Sequence, residues 1–548
     1  MADDDKTEEP VLLKLLVDTE TNKVVFAEAG KDFVDVLCSF LTLPLGTIAR
    51  LIQKDSNIGP VKVGCLNSLY QSVSDLSKRY FLTKTHKKML LQPTNSSEDY
   101  CNSLRLNIDD TPPATYFLCT IPDDSCCGNG LYTSSDNNCA GGNPLTHSVF
   151  LKHFHKGFVT SSASFVITDD LNVMPNSKHI TSFGLLQNCG IKTTSSLKEM
   201  TFEVNKEKVL DLLKCALISK SPLTDTFLRK EPSLEESSRI LNCDVENNAN
   251  IQISVKVVIR KSDGKVLYAQ GDEDFIDLLL TFLTFPLGGV VTKIENCSLG
   301  SIDKLYKSIV DLDEIKYFKS TKAKERLVDP QVASQFKLSN KILPLQPDME
   351  YYCYYQGNGF KESIINNQFF ISDEKRKDEK NCKNMFLLDN FKAWRGSREG
   401  YVKELKMYVV TDDLIVAQSS PISSLNLIDS SETSLDDMKE EVVTIGLKEC
   451  LSILMAALTS SSALTNGLAH LLTEAYKIHF LKLKNLLMSK YILLSPSCAI
   501  STCHQERGTI YLQCYQIAPA MAAMADIHCG FWARRNGKYR PPLQVFPP

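Results

Sequence analysis

The chain has 548 residues, a formal net charge of −4 and 18 cysteines; 43% of its residues are hydrophobic and 23% charged. That length exceeds what one hydrophobic core supports, so at least two domains are expected. The near balance of charge lacks the basic field that non-specific nucleic-acid binding needs, so no nucleic-acid partner is expected.

Residues 1–10, MADDDKTEEP, are acidic and polar and are expected to be disordered. They offer neither the basic and apolar regions of a secretory signal nor the arginines of a transit peptide. A cytoplasmic or nuclear location follows, with the cysteines read as reduced, mostly buried thiols. The longest apolar stretch, Leu451 to Leu472, is broken by Ser452, Thr459 and Asn466, so it reads as a core helix and its exit. No transmembrane segment is expected.

The first element is a β-hairpin turning at Thr21-Asn22. A helix follows, with Asp32 as its expected N-cap and Phe33, Val36, Leu37, Phe40 and Leu41 on one apolar stripe. Pro44 interrupts that pattern and predicts a kink, with a second helix over Thr47 to Gln53. A short helix is expected from about Leu66 to Leu76. The middle, with Pro112-Pro113 and many Asn and Ser residues, reads as irregular. Phe158 to Thr168 alternates as a strand, and Asp169-Asp170 follow as a turn. Val209, Leu210, Leu213, Ala216 and Leu217 mark a last helix.

The same order then recurs. DFVDVLCSFLTLPLG at Asp32 to Gly46 returns as DFIDLLLTFLTFPLG at Asp274 to Gly288. Gly157 to Leu171 returns as Gly400 to Leu414, and Val209 to Leu223 as Cys450 to Leu464. A repeat of this size is a duplicated domain, not a solenoid of small units. The expected class is α+β: two homologous mixed α/β domains in tandem, each opening with a β-hairpin followed by a proline-kinked helix pair. The expected boundaries are 11–230 and 251–470, joined by a linker at 231–250. A divergent tail at 471–548 reads as poorly ordered or as a partner-binding extension, with a basic amphipathic helix from His479 to Leu494.

Two constellations invite chemistry. Asp169-Asp170 and Asp412-Asp413 are paired carboxylates, but adjacent strand residues point to opposite faces, which favours turn and capping roles. Cys119, Cys126, Cys127 and Cys139 lie in one polar loop, with His147, His153 and His155 beyond it. Zinc takes four such ligands, usually from closely spaced pairs; this spacing, C-x6-C-C-x11-C, lacks the C-x2-C knuckle. No phosphate-binding, dinucleotide, zinc-protease or nucleophile-elbow motif is present in the sequence. No cofactor is therefore expected beyond that weak zinc site, and no catalytic residue is named.

The stretch from Lys14 to Leu51, GCLNSLYQSVSDL at Gly64 to Leu76 and the two TDDL segments resemble a plant family known as domain of unknown function 674. The resemblance covers both copies, roughly residues 11 to 470. It implies a plant source and a two-copy architecture, and Cys pairs of the form C-P-x-C-G in the middle loop. Here that place reads Cys139-Ala140-Gly141-Gly142, without the second cysteine. The family brings no activity. The leading expectation is a non-enzymatic, protein-binding interaction or scaffold protein. The alternatives are an enzyme with a pocket between the copies and a degenerate zinc module in the first copy.

Overall fold

The computed structural model describes residues 10–119, 130–133, 138–139, 142–152, 157–176, 182–229, 252–294, 299–336, 350–356, 363, 366, 368–372, 375, 381–387, 400–404 and 406–472. The 231–250 linker and the helix expected from His479 to Leu494 lie outside the described residues.

The first half contains β1 (Val11–Asp18), β2 (Lys23–Gly30), α1 (Lys31–Thr42), α2 (Leu45–Ile52), α3 (Leu66–Asp75), α4 (Lys84–Leu91) and α5 (Glu98–Cys101). It continues with β3 (Thr115–Leu118), β4 (Gly130–Leu131), β5 (His147–Phe150), β6 (Ser164–Thr168) and β7 (Val173–Pro175). It closes with α6 (Ser182–Asn188), β8 (Leu197–Val204), α7 (Lys206–Ile218) and α8 (Pro222–Phe227). The second half opens with β9 (Ile253–Arg260), β10 (Val266–Gly271), α9 (Glu273–Thr281), α10 (Leu287–Lys293), α11 (Ile302–Asp311), α12 (Glu314–Tyr317) and α13 (Thr321–Val328). Then come β11 (Glu350–Tyr355), β12 (Phe369–Ser372), β13 (Cys382–Leu387), β14 (Tyr408–Thr411) and β15 (Val416–Gln418). It ends with α14 (Pro421–Ser430), β16 (Met438–Ile445), α15 (Leu447–Thr459) and α16 (Ala463–Gly467). The class is α+β, as expected.

Each half builds an antiparallel five-stranded sheet in the same order, β7-β6-β2-β1-β8 and β15-β14-β10-β9-β16. The opening hairpins form as expected, and their turns use left-handed backbone at Asn22 and Gly264. In β1 the alternation buries Leu13, Leu15 and Val17 and leaves Leu12 and Lys14 exposed, so one sheet face meets the helices. The outer strands β8 and β16 are long, half-exposed elements that periodicity did not reveal. The strand expected over Phe158 to Thr168 is shorter: only Ser164–Thr168 pairs in the sheet, while Val159 bridges to Phe318. The middle segments, read as irregular, contribute a four-stranded sheet, β12-β11-β13-β4, that takes strands from both halves, and the ladder β3-β5.

Helix α1 starts earlier than expected, with Gly30 at the N-cap and Asp32 inside the first turn, where a carboxylate suits the helix dipole. In the second half Asp272 caps α9, accepting from the Asp274 and Phe275 amides at 3.1 and 3.3 Å. Pro44 breaks the helix as expected, but it sits at the N-cap of α2, which begins at Leu45 and not at Thr47. The break has a second role. Pro44 and Pro286 face each other across a short antiparallel bridge. The Leu45 amide donates to the Phe285 carbonyl at 2.8 Å, and the Leu287 amide to the Leu43 carbonyl at 3.0 Å. Here the two proline breaks let the halves bond to each other through backbone groups that a continuous helix would use internally.

The crossing continues reciprocally at α3 and α11. Cys65 donates its amide to Ala457 of α15 at 2.7 Å and its thiol to the Ser460 carbonyl at 3.0 Å. Ser301 donates its amide to Ala216 of α7 at 2.8 Å and its hydroxyl to the Ser219 carbonyl at 2.8 Å. Gly64 and Gly300 precede these residues in left-handed conformations. A Cβ there would lie 2.4 Å from the Ala457 oxygen or 2.3 Å from the Ala216 oxygen. One hydrophobic cluster accordingly runs through both halves, from Leu13 and Phe40 to Phe282 and Leu454.

Candidate functional site

The sequence-derived carboxylate pairs are structural. Asp169 accepts the Thr224 amide at 2.8 Å and its hydroxyl at 2.7 Å, fixing the start of α8. Asp412 does the same for α16 through the Thr465 amide at 2.8 Å. Burial raises the pKa of both carboxyls, and these bonds oppose that rise. Asp170 and Asp413 instead accept from Thr168 and Thr411, closing the turn locally at 2.5 Å in each case. The next residue, Leu171 or Leu414, has a left-handed backbone and a fully buried side chain. Core burial thus holds a turn that a bulky residue otherwise avoids.

Of the four loop cysteines, Cys119 and Cys139 are both buried, with sulfurs 3.5 Å apart. The Asn143 amide donates to the Cys139 sulfur at 3.3 Å. Cys126, Cys127, His153 and His155 lie outside the described residues. His147 is on β5, beside Thr146. Among the described residues no group of three or more His, Cys, Asp or Glu side chains is placed to hold a metal ion. Ten cysteines are described; eight are buried and none of the ten is disulfide-bonded. Burial pushes the Cys65, Cys215 and Cys353 thiols up to about 12, so at neutral pH they are protonated and poor nucleophiles.

The concave sites arise where α3 and α11 cross into the opposite half. In the first cleft, about 800 Å³, α3 and the residues after it face β15. Ser68 donates to Asp413 at 3.3 Å, Ser72 to the Leu414 carbonyl at 3.2 Å, and Tyr80 to the Gln418 side chain. The helix thereby covers the edge strand of the other half's sheet, one way of protecting an open edge. Pro60, Val61, Leu76, Val416 and Ala417 supply apolar lining. Gln53, Asn67, Gln71 and Gln418 bring amides, which both donate and accept. No His, Cys or Glu is among the described residues that line it.

The second cleft, about 750 Å³, is built the same way from α11 and β7. Its chemistry differs. Lys304 and Lys307 stand where α3 has Ser68 and Gln71, Lys23 and Lys220 line the same space, and Asp18, Asp169, Asp170 and Asp311 set four carboxyls among these four lysines. The sequence carried this signal in the aligned helices LNSLYQSVSD and IDKLYKSIVD, but only the crossing shows that these positions face a cleft.

Residues 7–448 match the family described as protein of unknown function, DUF674, and the chain belongs to that family. No curated protein and no solved structure matches it.

Proposed function

We propose that this family member is a non-enzymatic interaction protein that holds an extended segment of a partner protein in the first cleft. One observation carries the reading: an apolar floor is bordered by neutral amides from both halves, which suits peptide main chain and an apolar side chain. Two of the lining groups that could do proton chemistry are engaged within the chain: Asp75 accepts from Gln71 at 2.9 Å and Tyr80 donates to Gln418; Lys62 lines the cleft as well. With this reading go a duplicated ancestral domain, supported by the common strand order, a plant source and a cytoplasmic or nuclear location. The test is selection of a displayed peptide library on the full chain. Enriched peptides should share an apolar anchor and lose binding to Ala417→Trp, an exposed position on the cleft wall. No enrichment, or equal binding to the variant, overturns the reading.

A second reading, an enzyme, is favoured by the position of both clefts between the halves, where groups from two frameworks converge. A third, a zinc module, is favoured by the approach of Cys119 and Cys139, which would be two of the four thiolate or imidazole ligands. Elemental analysis of the purified chain finding no stoichiometric zinc ends the third reading.

A further inference from the structure

The two clefts share a construction, but the strands at their walls differ in what their free edges can bond. We propose that the partner segment enters the first cleft as an added β-strand, bonded to the main-chain amide and carbonyl of Val416; this rests on the peptide reading of that cleft and deepens it. β15 is the outermost strand of its sheet. The Thr411 amide donates to the Ile415 carbonyl at 3.0 Å and the Ser419 amide to the Met407 carbonyl at 2.9 Å. In the antiparallel ladder between them the Ala417 main chain therefore faces β14. Alternation turns the amides and carbonyls of Val416 and Gln418 the other way, out of the sheet edge.

Val416 is buried and lines the cleft, yet among the described residues neither its amide nor its carbonyl has a hydrogen-bond partner. Buried main-chain groups are almost always paired, so an open pair beside a cleft suits the main chain of a ligand. Helix α3 does not fill the place. Ser68 and Ser72 meet the hairpin at Asp413 and Leu414, and Tyr80, beyond the helix, meets the Gln418 side chain. Between these contacts Ile415 to Gln418 all line the cleft. Ile415 and Ala417 are exposed. In an added strand the residues flanking the one opposite Val416 lie beside them, which seats an apolar anchor. The first half is the internal control. There Pro175 holds the place of Gln418, paired with Phe165 as Gln418 is with Tyr408. Proline has no N–H to offer and its ring obstructs an incoming strand, one of the ways an open edge is blunted.

The test is selection of a displayed library of random linear peptides on the full chain, followed by titration of an enriched peptide, made synthetically, against two variants. Gln418→Ala and Gln418→Pro both lose the bond to Tyr80, but only the second gives β15 the residue that β7 carries. The matching strand accepts that proline, so the two melting midpoints should agree. The peptide should bind Gln418→Ala like the parent and Gln418→Pro at least about tenfold more weakly, the scale of one buried hydrogen bond. N-methylation along the peptide, read on the parent chain and so independent of either variant, should weaken binding at alternate residues and spare those between. Equal binding to the two variants, or N-methyl effects without alternation, overturns the added strand and leaves the peptide reading standing. No enrichment at all overturns both.

Discussion

Asp303 occupies in α11 the place that Asn67 holds in α3. The Asn67 amide accepts from the Val63 amide at 3.2 Å and donates to the Val61 carbonyl at 3.3 Å, tying down the chain before its helix. Asp303 has a buried oxygen without a hydrogen-bond partner, and burial, partly offset by Lys307, raises its carboxyl to about 6. A carboxyl raised on folding leaves the native state untouched below the unfolded value of 3.8, penalises it increasingly as pH climbs from there to about 6, and costs a constant amount above that. Asp303→Asn should therefore stabilise the chain at pH 7 by about 1 kcal/mol, after allowing for solvent screening, and change little at pH 4. Urea unfolding at the two pH values checks this; equal effects at both would refute the charge argument.

Lys214 shows the opposite case, a charge the fold uses. Its side chain is fully buried, and its ammonium donates to the Lys54 carbonyl, the Ser56 hydroxyl and the Gly59 carbonyl at 2.7, 2.6 and 2.6 Å. The second half has Met455 at the corresponding position of α15. Lys214→Met should nevertheless cost about 2–4 kcal/mol, because it strands three acceptors. Chemical denaturation giving a loss well below 1 kcal/mol would show that water replaces the ammonium freely.

At the level of elements, the entry into α3 and α11 is the tightest point. Gly64→Ala and Gly300→Ala each combine a left-handed backbone with a Cβ placed inside a carbonyl contact of the opposite half. Each should destabilise the chain by about 3 kcal/mol or more. Cys65→Ser should cost under about 1 kcal/mol, since Ser301 makes the same bond with oxygen. Melting midpoints of the three variants order these effects; a Cys65→Ser loss as large as that of Gly64→Ala would contradict the assignment. Much at this level was legible beforehand. Hairpins, the proline breaks and the TDDL turns depend on local chemistry, which sequence displays. Strands β8 and β16 were not legible, because each lies at a sheet margin and buries too little to print an alternating pattern. The helix cap was misplaced by its residue type: Asp32 can cap, but the chain already turns at Gly30.

For the described molecule, the decisive fact is that the two sheets share one core. Periodicity in α1 suggested a stripe, yet every residue from Phe33 to Thr42 is buried, because α10, α11 and α13 of the other half pack around it. Nothing local encodes that, so neither cleft could be placed from sequence; each needs a helix from one half and a strand from the other. Residues 10–229 and 252–472, produced separately, should each expose the surface that the other covers and remain aggregated or molten by near-ultraviolet circular dichroism. Produced together, they should form a soluble complex. Two independently soluble, well-folded monomers would contradict the shared core.

The reciprocal crossing also has a consequence in time. A ribosome delivers the first half completely before α11 exists, and residues from about 229 to 311 must still emerge before the edge strand β7 receives its cover. At about 5–20 residues per second, that interval is roughly 4–16 s. During it the nascent chain carries an open apolar face and an unguarded sheet edge, so its demand for chaperones should peak midway through synthesis.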